Sequence, residues 1–553
     1  MIEAVNIALY FPNKRAIIFG FYQTTSPMER VSLILLQQSE ITLMKIFLTS
    51  TLAAATAFLL FVQSSFAQLK YEERIEFELS EGYDTDFIIP QGKSGFLIIA
   101  ENKDSKGKET EWQYDYYNNK LEKEDSKSLL INKKFNSIAS FENEAATYAL
   151  YTNKKGEFEI IAAKKESNKL ERTKGKLPKK FGFSSLYVLN DYAYLVGTLK
   201  KSPTIFAVDL ERTLTTVIPI NIGDFKPKNT EITNFQVKPK NNEFLIFVKG
   251  IDNKRESEMY MLMGEKNKLK GQKFRLGKTG EKNLISISAS KIGTSEYTIT
   301  GTYGVNSVST SSGIFFGKVD KRKVSFLKFT KFLDLKDFLS YLPERKQEKI
   351  EKKRKRKKKR GKDVKINYNI ADHDVIETPD GGFILVGEAY YATYRSEART
   401  TFVNGQATTT YVTVFDGYQY THAIVTKFSA NGELEWDNSF KMYPSYKPFT
   451  VKRFISLYGK GEESLNLAYA DESKIHTKSI NNKDGEVLSE KESEEIKTAY
   501  EGDKTKRSSS RLKHWYEEYF IVYGYQKIKN KGDNKDKRGK RKVFFVNKVK
   551  FES

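Results

Sequence analysis

The chain has 553 residues, with 93 Lys or Arg against 70 Asp or Glu, a formal charge of +23, and no cysteine. The missing cysteine excludes a disulfide framework, thiolate metal sites, a cysteine nucleophile and an acylated-cysteine anchor. A hydrophobic content of 39% with 32 tyrosines and 38 phenylalanines excludes global disorder, and four scattered histidines leave little room for a histidine-rich metal centre.

In chain order, the first readable segment is an export signal. Met44-Lys45 opens a short positive region, the stretch from Ile46 to Val62 is apolar and Ala-rich, and Ser65-Phe66-Ala67 puts small residues where a signal peptidase reads. Residues 44–67 therefore read as a cleaved signal peptide; an uncleaved N-terminal helix is the alternative. Export signals begin a chain, so residues 1–43 read as an over-extended N-terminus, with translation starting at Met44. The mature chain is expected to be 68–553, one domain without a transmembrane span. Its expected location is periplasmic, outer-membrane-associated or secreted.

Short apolar, aromatic and β-branched runs then recur eight times, starting at Phe96, Tyr148, Ala193, Phe244, Tyr297, Phe383, Leu465 and Phe520. Runs of this kind bounded by Gly, Asn and Lys turns are strands. A second marker, a polar turn followed by Leu or Val, occurs seven times, at Leu121, Leu170, Leu214, Leu269, Val324, Leu434 and Val487. A period near fifty with several strands per unit predicts an all-β fold, a β-propeller of about eight four-stranded blades. Seven blades is the alternative if Leu465 or Tyr148 marks a misread unit. The missing eighth copy of the second marker leaves the last blade one strand short. Residues 71–79, which alternate Ile75, Phe77 and Leu79 with charge, are expected to complete it and close the ring.

Two spacings are long, and each excess matches a blade insertion: a basic segment at 332–365 and a Tyr/Thr-rich hairpin at 389–421. The unit beginning at Asp374 (DVIETPDGGFILVGE), resumed after the hairpin as AIVTKFSANGELEWDNSF, resembles bacterial secreted β-propeller repeats of the "PDGGFILVG … NGELEWDNSF" type. The resemblance implies an exported, ring-shaped protein in a largely uncharacterised group. It implies hairpin corners at Gly381-Gly382 and Asn431-Gly432, with Trp436 packed between blades, and it brings no catalytic residue set.

The search for chemistry yields little that is catalytic, and no cofactor is expected. Gly271–Thr279 has five residues between its glycines where a phosphate-binding loop needs four, and no helix follows. Asp84/Asp86 and Asp372/Asp374, the latter pair flanking His373, read as aspartates satisfying turn amides rather than as acid–base or calcium sites. His422, His476 and His514 read as ordinary surface or core residues.

Two candidate binding features remain. In the hairpin, a turn at Asn404-Gly405 sets Tyr391 opposite Tyr418 and Tyr394 opposite Phe415. Tyr391, Tyr394, Tyr411, Tyr418 and Tyr420 are its candidate contacts for carbohydrate or protein; packing onto a neighbouring blade is the alternative. In the basic segment, Asp334–Leu342 is expected to form a short amphipathic helix stopped near Pro343. The charged stretch beyond is expected to be extended or loosely helical. Lys352, Lys353, Arg354, Lys355, Arg356, Lys357, Lys358, Lys359 and Arg360 form an unbroken run of nine cations. They fit a polyanion (lipopolysaccharide, acidic polysaccharide or extracellular DNA) or an envelope protein, against a solvated loop with no partner. The expected function is a non-catalytic binding or scaffold propeller at the cell envelope; the alternative is a propeller hydrolase or lyase with carboxylates at the central tunnel.

Overall fold

The computed structural model describes residues 4–10, 16–22, 68–78 and 83–552, with short breaks at 224, 255, 277–281, 294–295, 321–322, 405, 460–462, 531 and 533–538. It contains two compact units, 1–66 and 67–553. In the first, Ala4–Tyr10 and Ala16–Tyr22 pair antiparallel; the expected signal segment at 44–67 lies outside the described residues.

In the second unit the described strands form eight antiparallel sheets, seven built from strands taken in chain order. The first sheet, for example, is Tyr83–Pro90, Phe96–Asn102, Glu109–Tyr117 and Lys123–Asn132. Each of the eight apolar markers falls in an inner strand of its sheet, Tyr148 and Leu465 included. The reason is burial. Second strands such as Glu243–Ile251 and Tyr297–Val305 are buried at every position but the last. A strand covered on both faces reads as a continuous apolar run rather than an alternation. The fourth strands lie at the edge, and Leu214–Ile218 is buried only at Ile218.

The eighth sheet departs from chain order. Its sequence of neighbours is Gln68–Glu78, Gly539–Glu552, Tyr519–Asn530 and Asp503–Tyr516. The N-terminal strand pairs antiparallel with the C-terminal one, with Ile75 opposite Val546 and Phe77 opposite Phe544.

Core residues sort into clusters that each join two sheets consecutive in the chain. Leu97 and Trp112 of the first sheet meet Tyr151 and Ile161 of the second; Val386 and Trp436 of the sixth meet Leu465 and Tyr469 of the seventh. Another cluster joins Phe96 and Ile98 of the first sheet to Trp515, Ile521 and Phe544 of the eighth. Face-to-face stacking of four-stranded antiparallel sheets, each buried by its neighbours, is β-propeller architecture. Trp436 packs on the seventh sheet as expected and donates its indole N–H to the Asn482 carbonyl at 3.2 Å. Gly485 has φ +77°, and a Cβ there would stand 2.7 Å from the Trp436 ring.

Candidate binding surface

The chain between the fifth and sixth sheets is anchored by its apolar residues. Phe332, Leu335, Phe338 and Leu339 are buried against Phe316 of the fifth sheet and Phe383 and Phe428 of the sixth. Phe332 and Phe338 stack with centroids 4.7 Å apart. The amphipathic helix expected over Asp334–Leu342 is absent. A 3₁₀ turn spans Phe332–Asp334, turns and bends follow, and the α-helix begins after Pro343, at Glu344. Proline disfavours helical backbone at the residue before it but sits readily at a helix start, so the helix runs away from Pro343 rather than into it.

That helix, Glu344–Lys358, also corrects the expectation of an extended or loosely helical charged stretch. Lys, Arg, Glu and Gln are good helix formers. Glu344 lies in the first turn, and Lys355 to Lys358 occupy the last, where cations complement the helix dipole. Glu348 pairs with Lys352 at 3.1 Å, one turn apart. One stripe faces the body: Gln347 donates to the Leu342 carbonyl at 2.7 Å, Ile350 packs on the buried cluster, and Arg354 pairs with Asp334 at 2.5 Å. Lys357 is half-buried on the same stripe. The other seven of the nine cations (Lys352, Lys353, Lys355, Arg356, Lys358, Lys359 and Arg360) are exposed. Lys353, Lys355, Arg356, Lys359 and Arg360 make no ion pair with an acidic group among the described residues.

The hairpin is an arm formed by strands Phe383–Val403 and Gln406–Phe428. Its register follows the expectation from Val403 opposite Gln406 down to Tyr394 opposite Phe415. It then slips by one residue, so Tyr418 faces Ala392 and Tyr391 faces Gln419, not each other. Gly417 marks the slip, with φ +94° and its Cα so close to Lys447 that a Cβ would stand 2.6 Å from that residue's carbonyl oxygen. Because side chains alternate along a strand, Tyr394, Phe402, Tyr411 and Phe415 share one face of the arm; Arg395, Glu397 and Arg399 take the other. Tyr394, Phe402 and Tyr411 are 64%, 75% and 76% exposed. Phe402 was not singled out from the sequence, although strand alternation and the expected register about the Asn404-Gly405 turn already place it with this set. Tyr420 is fully buried, donating its hydroxyl to the Lys452 carbonyl at 2.5 Å, so it belongs to the core beneath the arm. Tyr418 is half-buried against Tyr390 and Phe415.

The two insertions meet over the sixth sheet. His422, at the base of the arm, stacks on Tyr341 with centroids 3.9 Å apart and meets Phe338 and Tyr368 edge-on. Burial pushes its pKa down to about 3, so the imidazole is neutral at ordinary pH. The Asp437 carboxylate accepts the backbone N–H groups of Lys336 and Asp337 at 2.9 and 2.8 Å.

A separate polar group lies on the first strands. Gln236 donates to Ser288 at 2.8 Å and to Asp374 at 3.1 Å, and His373 contacts Glu388 at 2.8 Å. Asp372 and Asp374 do not satisfy turn amides as expected. Both Asp372 carboxylate oxygens are buried without a hydrogen-bond partner, and burial pushes the group's pKa up to about 6, against the opposing pull of Ser286 and Arg453. The side chains of Asp84 and Asp86 lie outside the described residues. Among the described residues no three His, Asp or Glu side chains cluster to hold a metal, and no helix is long and apolar enough to cross a membrane.

No family model and no curated protein matches the chain. Among solved structures, the polysaccharide lyase Uly1 is similar at a TM-score of 0.36 and 10% identity, covering 87% of this chain and 99% of that one. The Dos1 propeller gives 0.36 at 8% identity over 87% and 95%, and TolB from Acinetobacter baumannii 0.27 at 12% over 69% and 79%. At TM-scores this low the likenesses carry no functional weight.

Proposed function

We propose that this is an exported, non-catalytic binding protein. In this reading its eight sheets are the blades of a ring closed by the N-terminal strand, and the helix Glu344–Lys358 grips an anionic polymer at the cell envelope. The ring is supported by the succession of core clusters, the last of which joins the eighth sheet to the first. The observation that carries the binding role is the charged helix: an apolar and ion-paired stripe seats it on the body, and seven adjoining cations are left to solvent. A fixed row of exposed cations, five of them without an ion pair among the described residues, attracts lipopolysaccharide phosphates, acidic polysaccharide or extracellular DNA alike, because each offers closely spaced negative charge.

Binding of a DNA duplex measured against salt tests this. Each phosphate neutralised contributes about −0.9 to the log–log slope, so five to seven contacts give roughly −4 to −6, without sequence preference. Replacing Lys353, Lys355, Arg356, Lys359 and Arg360 by Gln is expected to remove most of the affinity and leave the melting temperature unchanged. Undiminished affinity would assign the binding to the Lys-rich body and defeat the reading.

A hydrolase or lyase is the second reading, and Asp372 favours it. Its raised pKa lies near the range that acid–base catalysis requires. Turnover of a polysaccharide by the parent, lost in a folded Asp372→Asn variant, would select it; absence of turnover in the parent would remove it.

A further inference from the structure

The insertion closes a cleft of about 820 Å³ between itself, the sixth sheet and the seventh, within the size range of small-ligand sites, about 300–1,000 Å³. Asp337 and Tyr341 of the insertion form one wall. The last strand of the sixth sheet, Leu434–Lys441, contributes Ser439 and Lys441 to the floor. Tyr469 and His476 of the seventh sheet form the opposite wall, and Tyr443, 65% exposed, stands at the rim.

Three observations define what would fill it. First, the cleft offers aromatic surface: half-buried His476, backed by the buried Tyr469 in a parallel stack with centroids 4.5 Å apart and planes 8° apart, with Tyr341 and Tyr443 also in the lining. Second, its charges nearly cancel. Lys441, Lys474 and Lys478 stand against Asp337, Asp471, Glu472 and Glu490. Several of these are already engaged. The Lys478 ammonium donates to the Ser439 carbonyl at 2.8 Å and pairs with Glu490 at 3.1 Å, and Asp471 accepts from Ser445 at 2.7 Å. Third, Ser439 is 4% exposed and its hydroxyl has no hydrogen-bond partner. A buried hydroxyl without a partner is unfavourable, and a ligand hydroxyl would satisfy it.

We propose that this cleft binds a neutral oligosaccharide. A sugar ring combines an apolar C–H face, which lies against an aromatic ring, with a fringe of hydroxyls that both donate and accept. The cleft supplies both halves of that match: His476, backed by Tyr469, and rim Tyr443 for the face, Ser439 and the Asp337 carboxyl for the fringe. The balance of charge sets it apart from the basic helix and disfavours a polyanion. The proposal does not rest on the polyanion reading.

The test is calorimetric titration of the full chain with chitotetraose, cellotetraose and maltotetraose. The expected result is saturable binding of at least one of the three at millimolar affinity or better. Tyr443→Ala should weaken it by about tenfold, equivalent to about 1.4 kcal/mol, and Ser439→Val should weaken it further. Tyr443 is exposed, so its variant decides the matter even if Ser439→Val fails to fold. High salt and the five-Gln helix variant should leave the affinity unchanged, which separates this site from the helix. No saturable binding of any tetrasaccharide, binding indifferent to Tyr443→Ala, or binding lost with the helix charges would each overturn the proposal.

Discussion

Asp372 sits where a charged carboxylate is disfavoured, with both oxygens buried and unpartnered. In the unfolded chain it ionises near 3.8, and in the folded chain near 6. Between those pH values the folded state keeps a proton that the unfolded state has released, so stability falls as pH rises. Above pH 6 the whole penalty, roughly 3 kcal/mol, is present. Asp372→Asn is therefore expected to melt higher than the parent at about pH 8 and nearly with it at about pH 4. Equal melting temperatures at both pH values would show that the carboxylate is solvated or paired. The variant-minus-parent comparison is needed because His422 titrates too, with the opposite sign: its depressed pKa costs stability as pH falls below its ordinary 6.5. Arg541 shows how this fold accommodates charge when partners are supplied. Its guanidinium contacts Asp503 at 2.5 Å and Glu76 of the N-terminal strand at 3.0 Å. Burial alone would raise the Asp503 pKa, but Arg541 and Asn530 outweigh it and hold the group below its usual range.

Among the elements, Gln68–Glu78 and the arm should respond oppositely to deletion. The N-terminal strand is bonded along its length to Gly539–Glu552 and sends Ile75 and Phe77 into the cluster between the eighth and first sheets. Removing 68–78 exposes a long strand edge, uncovers that cluster and leaves Arg541 without Glu76. The expected outcome is a large loss of stability with aggregation, read by melting and light scattering. The arm beyond Tyr394 and Phe415 contributes mostly exposed side chains, so excising 395–414 with a short turn in its place should leave the melting temperature within a few degrees of the parent. The excision must stop there, because Tyr418 is half-buried and Tyr420 is core. A parent-like melt after removal of 68–78 would contradict the closure proposed for the ring.

At the scale of the whole molecule, export makes a prediction about the chain termini. If residues 44–67 are a signal removed on secretion, the mature chain begins at Gln68, the first residue of the strand that completes the eighth sheet. Intact-mass analysis of the protein from its native host is expected to find that N-terminus. Recovery of residues 1–43 in the exported product would refute both the signal and the start at Met44. The pairing also sets folding order: the N-terminal strand must wait for the C-terminal strand before it can pair. Contacts this distant in sequence make slow, all-or-none completion the expected kinetics.

Much of the architecture was legible because burial leaves a local trace. Inner strands, covered on both faces, spell themselves out as apolar runs, and eight of them announced eight sheets. The unequal count of markers, seven against eight, pointed to Ile75 and Phe77 as the missing edge. The start of the basic helix was misread because helix and turn propensity around Pro343 had to be judged without knowing that Phe332, Leu335 and Phe338 are pulled flat onto two sheets. The register slip at Gly417 was hidden as well, since it follows from the close approach of Lys447, thirty residues further on. The meeting of Tyr341 with His422, the orphaned Ser439 hydroxyl and the buried Asp372 carboxylate left no trace in sequence at all. Periodicity and charge are properties of neighbouring residues and can be read along the chain. A site is a property of residues brought together across sheets, and only the packing of those sheets decides which side chains converge and which are left without a partner.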